Sequence, residues 1–171
     1  MLGDHEYIGL WTPGHTHDHY SFYCNQTKIL FAGDLILKKA HPMISGFEES
    51  ENALKTYFTS LKKINNLNVK YVLPGHNEKI KDLEKRIREI KAHYEKRLNQ
   101  TFESIKPQGM TTFKLTKQIY DEDISSERFK TRYYQISSNS RYLESLKTVK
   151  MIKHNSVMYN YQITDELQLD L

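Results

Sequence analysis

The sequence repeats one local design at three places: a short apolar segment, a glycine, and then a side chain that can bind a metal ion. The three segments are Thr-Pro-Gly-His at residues 12–15, Phe-Ala-Gly-Asp at 31–34 and Leu-Pro-Gly-His at 73–76. Glycine lets the chain leave a strand sharply and permits close approach of another backbone. In layered α/β proteins, ligands gather in the loops beyond the strand ends. We therefore expect His15, Asp34 and His76 to converge in space.

Two imidazoles and one carboxylate form a ligand set that suits zinc. Zinc binds histidine nitrogen and aspartate oxygen at roughly 2.0–2.2 Å, and a carboxylate can bridge a metal pair about 3.5–4 Å apart. Each segment alone could be only a turn that ends a strand, because Pro-Gly pairs are common in turns. The three segments together favour a metal site made of His15, Asp34 and His76.

The apolar spacing predicts an α/β part followed by a smaller α+β tail. Strands are expected at 7–11, 20–24, 28–32 and 69–73, and helices at 50–64 and 79–105. The second helix has a charged face, which we expect to be exposed to solvent. Pro-Gln-Gly at 107–109 marks a boundary between domains at 1–106 and 107–171. The sequence of the tail predicts helices at 112–120 and 126–148 and a hairpin around 154–156. The polar run at 137–140 leaves open whether the second helix is continuous. This order of helix, helix and hairpin is typical of a winged helix.

The three segments, the hairpin between the first two and the helix between the last two resemble the metallo-β-lactamase superfamily, specifically its glyoxalase II-like hydrolases. The tail resembles the winged-helix extension of a subgroup of these hydrolases. The resemblance implies an αββα sandwich with two zinc ions, of which this chain holds the C-terminal half. It also implies that His15 binds the first metal, His76 the second, and Asp34 both. Such metals polarise an ester, thioester, amide or phosphodiester and supply a hydroxide nucleophile.

One departure from the family pattern limits the predicted activity. The leading family motif, His-x-His-x-Asp-His, is absent from the 171 residues, and it supplies four further metal-site residues, including an aspartate important to catalysis. We expect the chain to be the C-terminal portion of a family protein, as a truncated gene product, an engineered fragment or one piece of a split protein. Its metal site is then incomplete, it holds no catalytic residue of its own, and its hydrolysis is weak or absent.

The run His-Thr-His-Asp-His at 15–19 is one residue shorter than the missing motif. His17 and Asp18 stand where the family commonly has Pro and Gly. They could complete a local metal site, or they could be two polar substitutions in a loop. The flanking Thr-Pro-Gly and the hairpin that follows favour the second interpretation. His19 matches a family histidine that is not usually a metal ligand, so it stays outside the predicted set.

The composition limits the cellular compartment and the binding partners that we expect. The single cysteine, Cys24, excludes an intrachain disulfide, and the chain has neither a signal-peptide pattern nor an apolar run of roughly 18 residues. These features predict a cytoplasmic protein with no membrane partner. The family resemblance implies a small-molecule substrate. Because half of a sandwich exposes an apolar sheet surface, we also expect a homo-oligomer that covers it.

The tail supports an alternative function of another class, a nucleic-acid-binding or protein-interaction module. Between residues 125 and 153 there are seven basic side chains, only two acidic ones, and three tyrosines among them. The basic residues and tyrosines are Arg128, Lys130, Arg132, Arg141, Lys147, Lys150, Lys153, Tyr133, Tyr134 and Tyr142. A basic helix and wing can lie along a phosphate backbone. The simpler explanation is that the tail packs against the α/β part, since the net charge is only +4.

Overall fold

The computed structural model describes residues 4–44, 52–105, 108–121, 125–169 and 171. The chain is an α/β protein that forms two compact units, Met1–Ile44 with Lys55–Ala92 and Ser45–Leu54 with His93–Leu171. The predicted boundary between residues 106 and 107 lies outside the described residues. The predicted domain limits therefore stay a prediction.

Four strands of the first unit form one sheet in the order β1-β2-β3-β4. They are β1 (Ile8–Trp11), β2 (Tyr20–Cys24), β3 (Ile29–Gly33) and β4 (Tyr71–Pro74), and their ends lie within two residues of the predicted ones. The first three strands are antiparallel, whereas β4 runs parallel to β3. A parallel pair needs a crossover, and helix α1 (Ala53–Asn65) lies in the connection between β3 and β4.

The two faces of this sheet differ in exposure. On one face Tyr23, Leu30 and Val72 are buried and lie side by side across β2, β3 and β4. On the other face, large aromatic side chains are exposed, and we call this set the aromatic face: Trp11, Tyr20, Phe22 and Phe31. Trp11 pairs with Tyr20 and Phe22 with Phe31 across neighbouring strands. One face of the sheet therefore forms the core, and the other presents apolar surface.

Helix α1 fixes the loops that follow β1 and β3. Its buried apolar residues recur at three- and four-residue spacing, and within the first unit they are Tyr57, Phe58, Leu61 and Ile64. The Tyr57 hydroxyl donates to the Leu35 carbonyl at 3.1 Å, and the Ser60 hydroxyl donates to the Pro13 carbonyl at 2.7 Å. The predicted start at residue 50 lies outside the described residues.

Helix α2 (Leu83–Ser104) begins four residues later than the periodicity predicts. Ile80 forms a β-bridge with Val72, so residue 80 is extended rather than helical. The Asp82 carboxylate then accepts a hydrogen bond from the Lys85 backbone N–H at 2.8 Å, which is the geometry of an N-terminal cap. None of the helices in the described ranges is long and apolar enough to cross a membrane.

The second unit contains two helices, α3 (Thr112–Tyr120) and α4 (Glu127–Ser145), and an antiparallel sheet. Strands β5 (Met110–Thr111), β6 (Val149–His154) and β7 (Val157–Gln162) lie in the order β5-β7-β6. The two-residue β5 has no counterpart in the sequence prediction. The polar run at 137–140 does not interrupt α4, where the Asn139 amide donates to Thr101 Oγ1 at 3.0 Å. The winged-helix assignment of the tail stays a prediction.

Candidate functional site

The three side chains singled out in the sequence lie together in the first unit. Asp34 Oδ2 is 3.8 Å from His15 Nε2 and 3.5 Å from His76 Nε2. All three side-chain tips therefore fall within about 8 Å of one another, as the ligands of a metal pair must. Asp34 and His15 are about one-third exposed, and His76 is 70% exposed. The expected convergence is present, and the role of these residues as metal ligands stays a prediction.

The strand directions explain this convergence. Since β1 and β3 are both antiparallel to β2, the C-terminal ends of β1, β3 and β4 lie at the same edge of the sheet. Asp34 directly follows β3, His76 comes two residues after β4, and His15 lies in the loop after β1. The Gly75 N–H donates to the Gly33 carbonyl at 2.8 Å, which extends the β3–β4 pairing up to the site.

All three motif glycines are required by their surroundings, and at Gly14 a Cβ would lie 2.8 Å from the Tyr57 side chain. A Cβ on Gly75 would lie 2.7 Å from Asp34 Oδ1, closer than real Cβ atoms approach other atoms. Gly33 has φ +51°, in the left-handed region, and a Cβ there would lie 2.7 Å from His19 Nε2. Without Gly75 and Gly33 the Asp34 carboxylate and the His19 ring could not occupy their positions.

The hydrogen bond of His15 determines which ring nitrogen faces Asp34 without a proton. His15 Nδ1 lies 3.0 Å from the Met43 carbonyl oxygen. A carbonyl only accepts, so Nδ1 carries the proton and Nε2 of the neutral ring presents a lone pair. A lone pair opposite a carboxylate at 3.8 Å is repulsive unless a proton or a cation lies between them. Metal-binding histidines commonly donate their other N–H to a backbone carbonyl in this way.

Asp34 also has an oxygen that needs a partner. Oδ1 is buried and makes no hydrogen bond within the described part of the chain, and such an oxygen costs free energy until something satisfies it.

Two ligands of one tetrahedral zinc ion lie about 3.4 Å apart, given bonds near 2.1 Å. The 3.5 and 3.8 Å separations fit one ion between Asp34 and each histidine.

The fit to a metal pair is nevertheless incomplete. Within the described ranges, no group of three or more His, Cys, Asp or Glu side chains is arranged to hold one metal ion. The donors instead form two pairs that share Asp34, with His15 on one side and His76 on the other. Each ion would therefore have two protein ligands from these residues.

The run His-Thr-His-Asp-His at 15–19, called here the near-motif, does not add a ligand group in the described residues. The imidazole of His17 lies beside the Trp11 ring, with 5.9 Å between the centroids, and the Trp11 Nε1–H donates to the His17 carbonyl at 2.9 Å. Asp18 is exposed. These contacts favour the interpretation of both residues as polar substitutions in a loop.

His19, which the sequence prediction leaves out of the ligand set, lies beside the site. Its Nδ1 is 3.0 Å from Thr12 Oγ1, which in turn is 2.9 Å from Ser21 Oγ, and its ring packs on Gly33. Burial lowers the pKa of His19, and the nearby charge of His15 lowers it further. Because residues 15–19 form a loop, their spacing predicts no contact, and the sequence carried no signal for this position. Met43 was missed, because a backbone carbonyl has no signature in the sequence.

Comparison with known proteins agrees with this geometry. A family model described as the metallo-beta-lactamase superfamily matches residues 1–76, which include all three predicted ligands. The beta-lactamase-like protein 2 homolog of Caenorhabditis elegans is 34% identical over 110 residues, 64% of this chain and 35% of the relative. The atrochrysone carboxyl ACP thioesterase of Aspergillus fumigatus is 29% identical over 80 residues, 47% of this chain and 23% of the relative. The chain thus spans about a third or less of these curated relatives.

A solved structure gives the same fold. The metallo-beta-lactamase family protein from Thermus thermophilus matches 95% of this chain with a TM-score of 0.81 and 24% identity, and the match covers 51% of that protein. At this identity the likeness shows the fold alone. Residues 1–76 match the model of the metallo-beta-lactamase superfamily, and the related sequences make this part of the chain similar to that superfamily.

Proposed function

We propose that this chain carries part of the centre of a metal-dependent hydrolase acting on an ester, thioester or related bond of a small-molecule substrate. His15 and Asp34 would hold one divalent ion, His76 and Asp34 a second, and zinc is the first metal to test. The observation that carries the proposal is the position of Asp34 Oδ2, which faces Nε2 of both histidines at 3.8 and 3.5 Å.

The chain's own residues prepare these donors. If these residues held a metal pair, the chemistry supplied there would be polarisation of the scissile bond and activation of water. The Met43 carbonyl holds the proton of His15 on Nδ1, so Nε2 stays free to donate its lone pair. The bare Cα of Gly75 leaves room for the Asp34 carboxylate at the strand edge. The protein thus supplies orientation and negative charge at the place where the metals would bind.

The related proteins support the class of bond. The Aspergillus fumigatus relative is named as a thioesterase, and hydrolysis of a thioester, like that of an ester, needs a polarised carbonyl and an attacking oxygen. We extend this class of bond to the present chain as part of the proposal. Its activity is expected to be weak, because catalytic zinc sites normally have three protein ligands and these residues supply two for each ion.

Metal analysis and turnover test this proposal together. We expect the purified chain to bind Co²⁺ or Zn²⁺ weakly and to hydrolyse simple esters and thioesters little or not at all. Asp34→Asn should abolish the metal binding, because it removes the charge shared by both ions, whereas His17→Ala should leave it unchanged. Unaltered metal binding in Asp34→Asn would refute the site.

Two other outcomes would change the proposal. Tightly held, stoichiometric metal with metal-dependent turnover would contradict the expected weakness. If His17→Ala then abolished both, the near-motif at 15–19 would be the working site.

The contacts of the tail bear on the alternative function. The guanidinium of Arg132 lies 4.5 Å from the centre of the Tyr120 ring, and that of Arg97 lies 5.2 Å from it. Tyr142 is buried, and the Glu144 carboxylate accepts a hydrogen bond from the Met151 N–H at 2.8 Å. These contacts favour a packing role for part of the basic segment at 125–153. Nucleic-acid binding stays a prediction, and loss of binding with rising salt is its test.

A further inference from the structure

The loop of residues 35–43 touches the segments of all three predicted ligands. It starts directly after Asp34, and near its end the Met43 carbonyl contacts His15 Nδ1 at 3.0 Å. In its middle, the Lys38 ammonium pairs with Glu78, which lies two residues after His76. The loop contains no helix or strand, and side chains of other elements donate hydrogen bonds to its carbonyls.

Arg86 of α2 holds this loop through two of its backbone carbonyls. Nε donates to the Leu37 carbonyl at 2.8 Å and Nη2 to the Ala40 carbonyl at 2.7 Å. The third edge of the guanidinium is used as well, because Nη1 donates to Glu89 Oε2 at 2.9 Å. The Arg86 side chain is only 8% exposed, and it lies three residues after Leu83 and four before Ile90, beside the apolar face of α2.

The geometry of this contact requires arginine. A guanidinium presents a planar fork of donors that can serve two carbonyls at once, whereas an ammonium is a compact point charge on a flexible stem. Burying a charge is costly unless hydrogen bonds satisfy it. Arg86 meets that condition with the Leu37 and Ala40 carbonyls and the Glu89 carboxylate. The buried guanidinium therefore requires that the loop keep the Leu37 and Ala40 carbonyls in these positions.

We propose that Arg86 is a positioning residue of the metal centre. By fixing the loop at Leu37 and Ala40, it sets the place of the Met43 carbonyl, and that carbonyl sets the tautomer and orientation of His15. Hydrogen-bond partners behind a ligand typically change metal affinity 10–100-fold when removed. The proposal rests on the proposed function for its effect on metal binding, whereas its effect on the His15 ring needs no metal.

The first test measures the His15 ring in the metal-free chain. Nitrogen-15 spectra of the histidine side chains, recorded in EDTA and assigned with His15→Gln, report which ring nitrogen carries the proton. We expect the Nδ1–H form in the wild type and a mixture of tautomers in Arg86→Met. Arg86→Lys keeps the charge and serves as a second variant in case Arg86→Met does not fold; it should show an intermediate effect.

The matched control is Arg88→Met on the same helix. Arg88 is exposed and pairs with Glu84 at 2.5 Å, so its loss should leave the His15 tautomer unchanged. The second readout is Co²⁺ affinity, which should fall about 10-fold or more in Arg86→Met and stay constant in Arg88→Met.

The outcomes separate the two proposals. If folded Arg86→Lys or Arg86→Met keeps both the wild-type tautomer and the wild-type Co²⁺ affinity, the positioning role is refuted. If the wild type binds no Co²⁺ at all, the proposed function fails. The tautomer of His15 then still decides the role of Arg86.

Discussion

At Gly75, the space that a side chain would need is occupied by the Asp34 carboxylate. A Cβ there would meet Oδ1 at 2.7 Å, so Gly75→Ala must displace either the carboxylate or the β4 end. We expect a loss of about 1–3 kcal/mol in the free energy of unfolding, measured by urea titration, together with weaker Co²⁺ binding. The matched control is Gly9→Ala, where the nearest atom, Phe22 Cε1, is 3.7 Å away; equal losses in both variants would contradict the steric argument.

The lowered pKa of His19 predicts a pH dependence of stability. Above its ordinary pKa of 6.5 the ring is neutral in both the folded and the unfolded chain. As the pH falls below 6.5, the unfolded chain binds the proton first, so the folded state loses stability until the lower, folded-state pKa is passed. His19→Gln removes this contribution.

The check for His19 is urea unfolding of both proteins in EDTA at pH 7.5 and at pH 5.5. The wild type should lose more stability over this interval than His19→Gln does. A larger loss in the variant would show that His19 is not held in its neutral form by burial.

At the scale of elements, α4 begins with a side-chain cap. The Phe129 N–H donates to Ser126 Oγ at 3.1 Å, and Ser126 itself has an extended backbone. Ser126→Ala should lower the free energy of unfolding by about 1 kcal/mol, because one N–H at the helix start loses its acceptor. Ser126→Asp keeps an acceptor there and should retain the wild-type value. Equal values for the two variants in thermal or urea unfolding would refute the capping role.

The elements were largely predictable because their signals are local. Apolar side chains at fixed spacing identify strands and helices, and turn residues mark their ends. The start of α2 was misplaced because Ile80 continues the helical spacing of the residues after it, yet it bridges to Val72, which is a tertiary contact. The two-residue β5 is too short to show a period, since it exists only through its pairing with β7.

The site was predictable only in its side-chain ligands. His15, Asp34 and His76 follow glycines at strand ends, a pattern that the sequence displays directly. Arg86 lies three residues after Leu83 and four before Ile90, so helical spacing places it beside the apolar face of α2, but the sequence does not show which carbonyls it meets. Its burial against the 35–43 loop arises from the fold of a distant segment.

At the scale of the molecule, the aromatic face is an exposed apolar surface of the first unit. Trp11, Tyr20 and Phe22 are each about half exposed, and Phe31 is 39% exposed. Four aromatic side chains of roughly 200 Å² each present on the order of 400 Å² when half exposed. That is about half of the roughly 800 Å² that one partner buries in a stable interface. The patch is therefore large enough to form the centre of a contact between two copies of the chain.

The last prediction concerns this face. We expect the purified chain to sediment as a dimer or a higher oligomer, because association removes the exposed aromatic rings from water. Phe22→Ser, at the centre of the face, should shift the chain toward monomer. Phe113→Ser is the control, since Phe113 lies in the second unit and is also 39% exposed. A wild-type chain that sediments as a monomer at all concentrations would refute the self-association. Dissociation by Phe113→Ser alone would place the contact on the second unit instead.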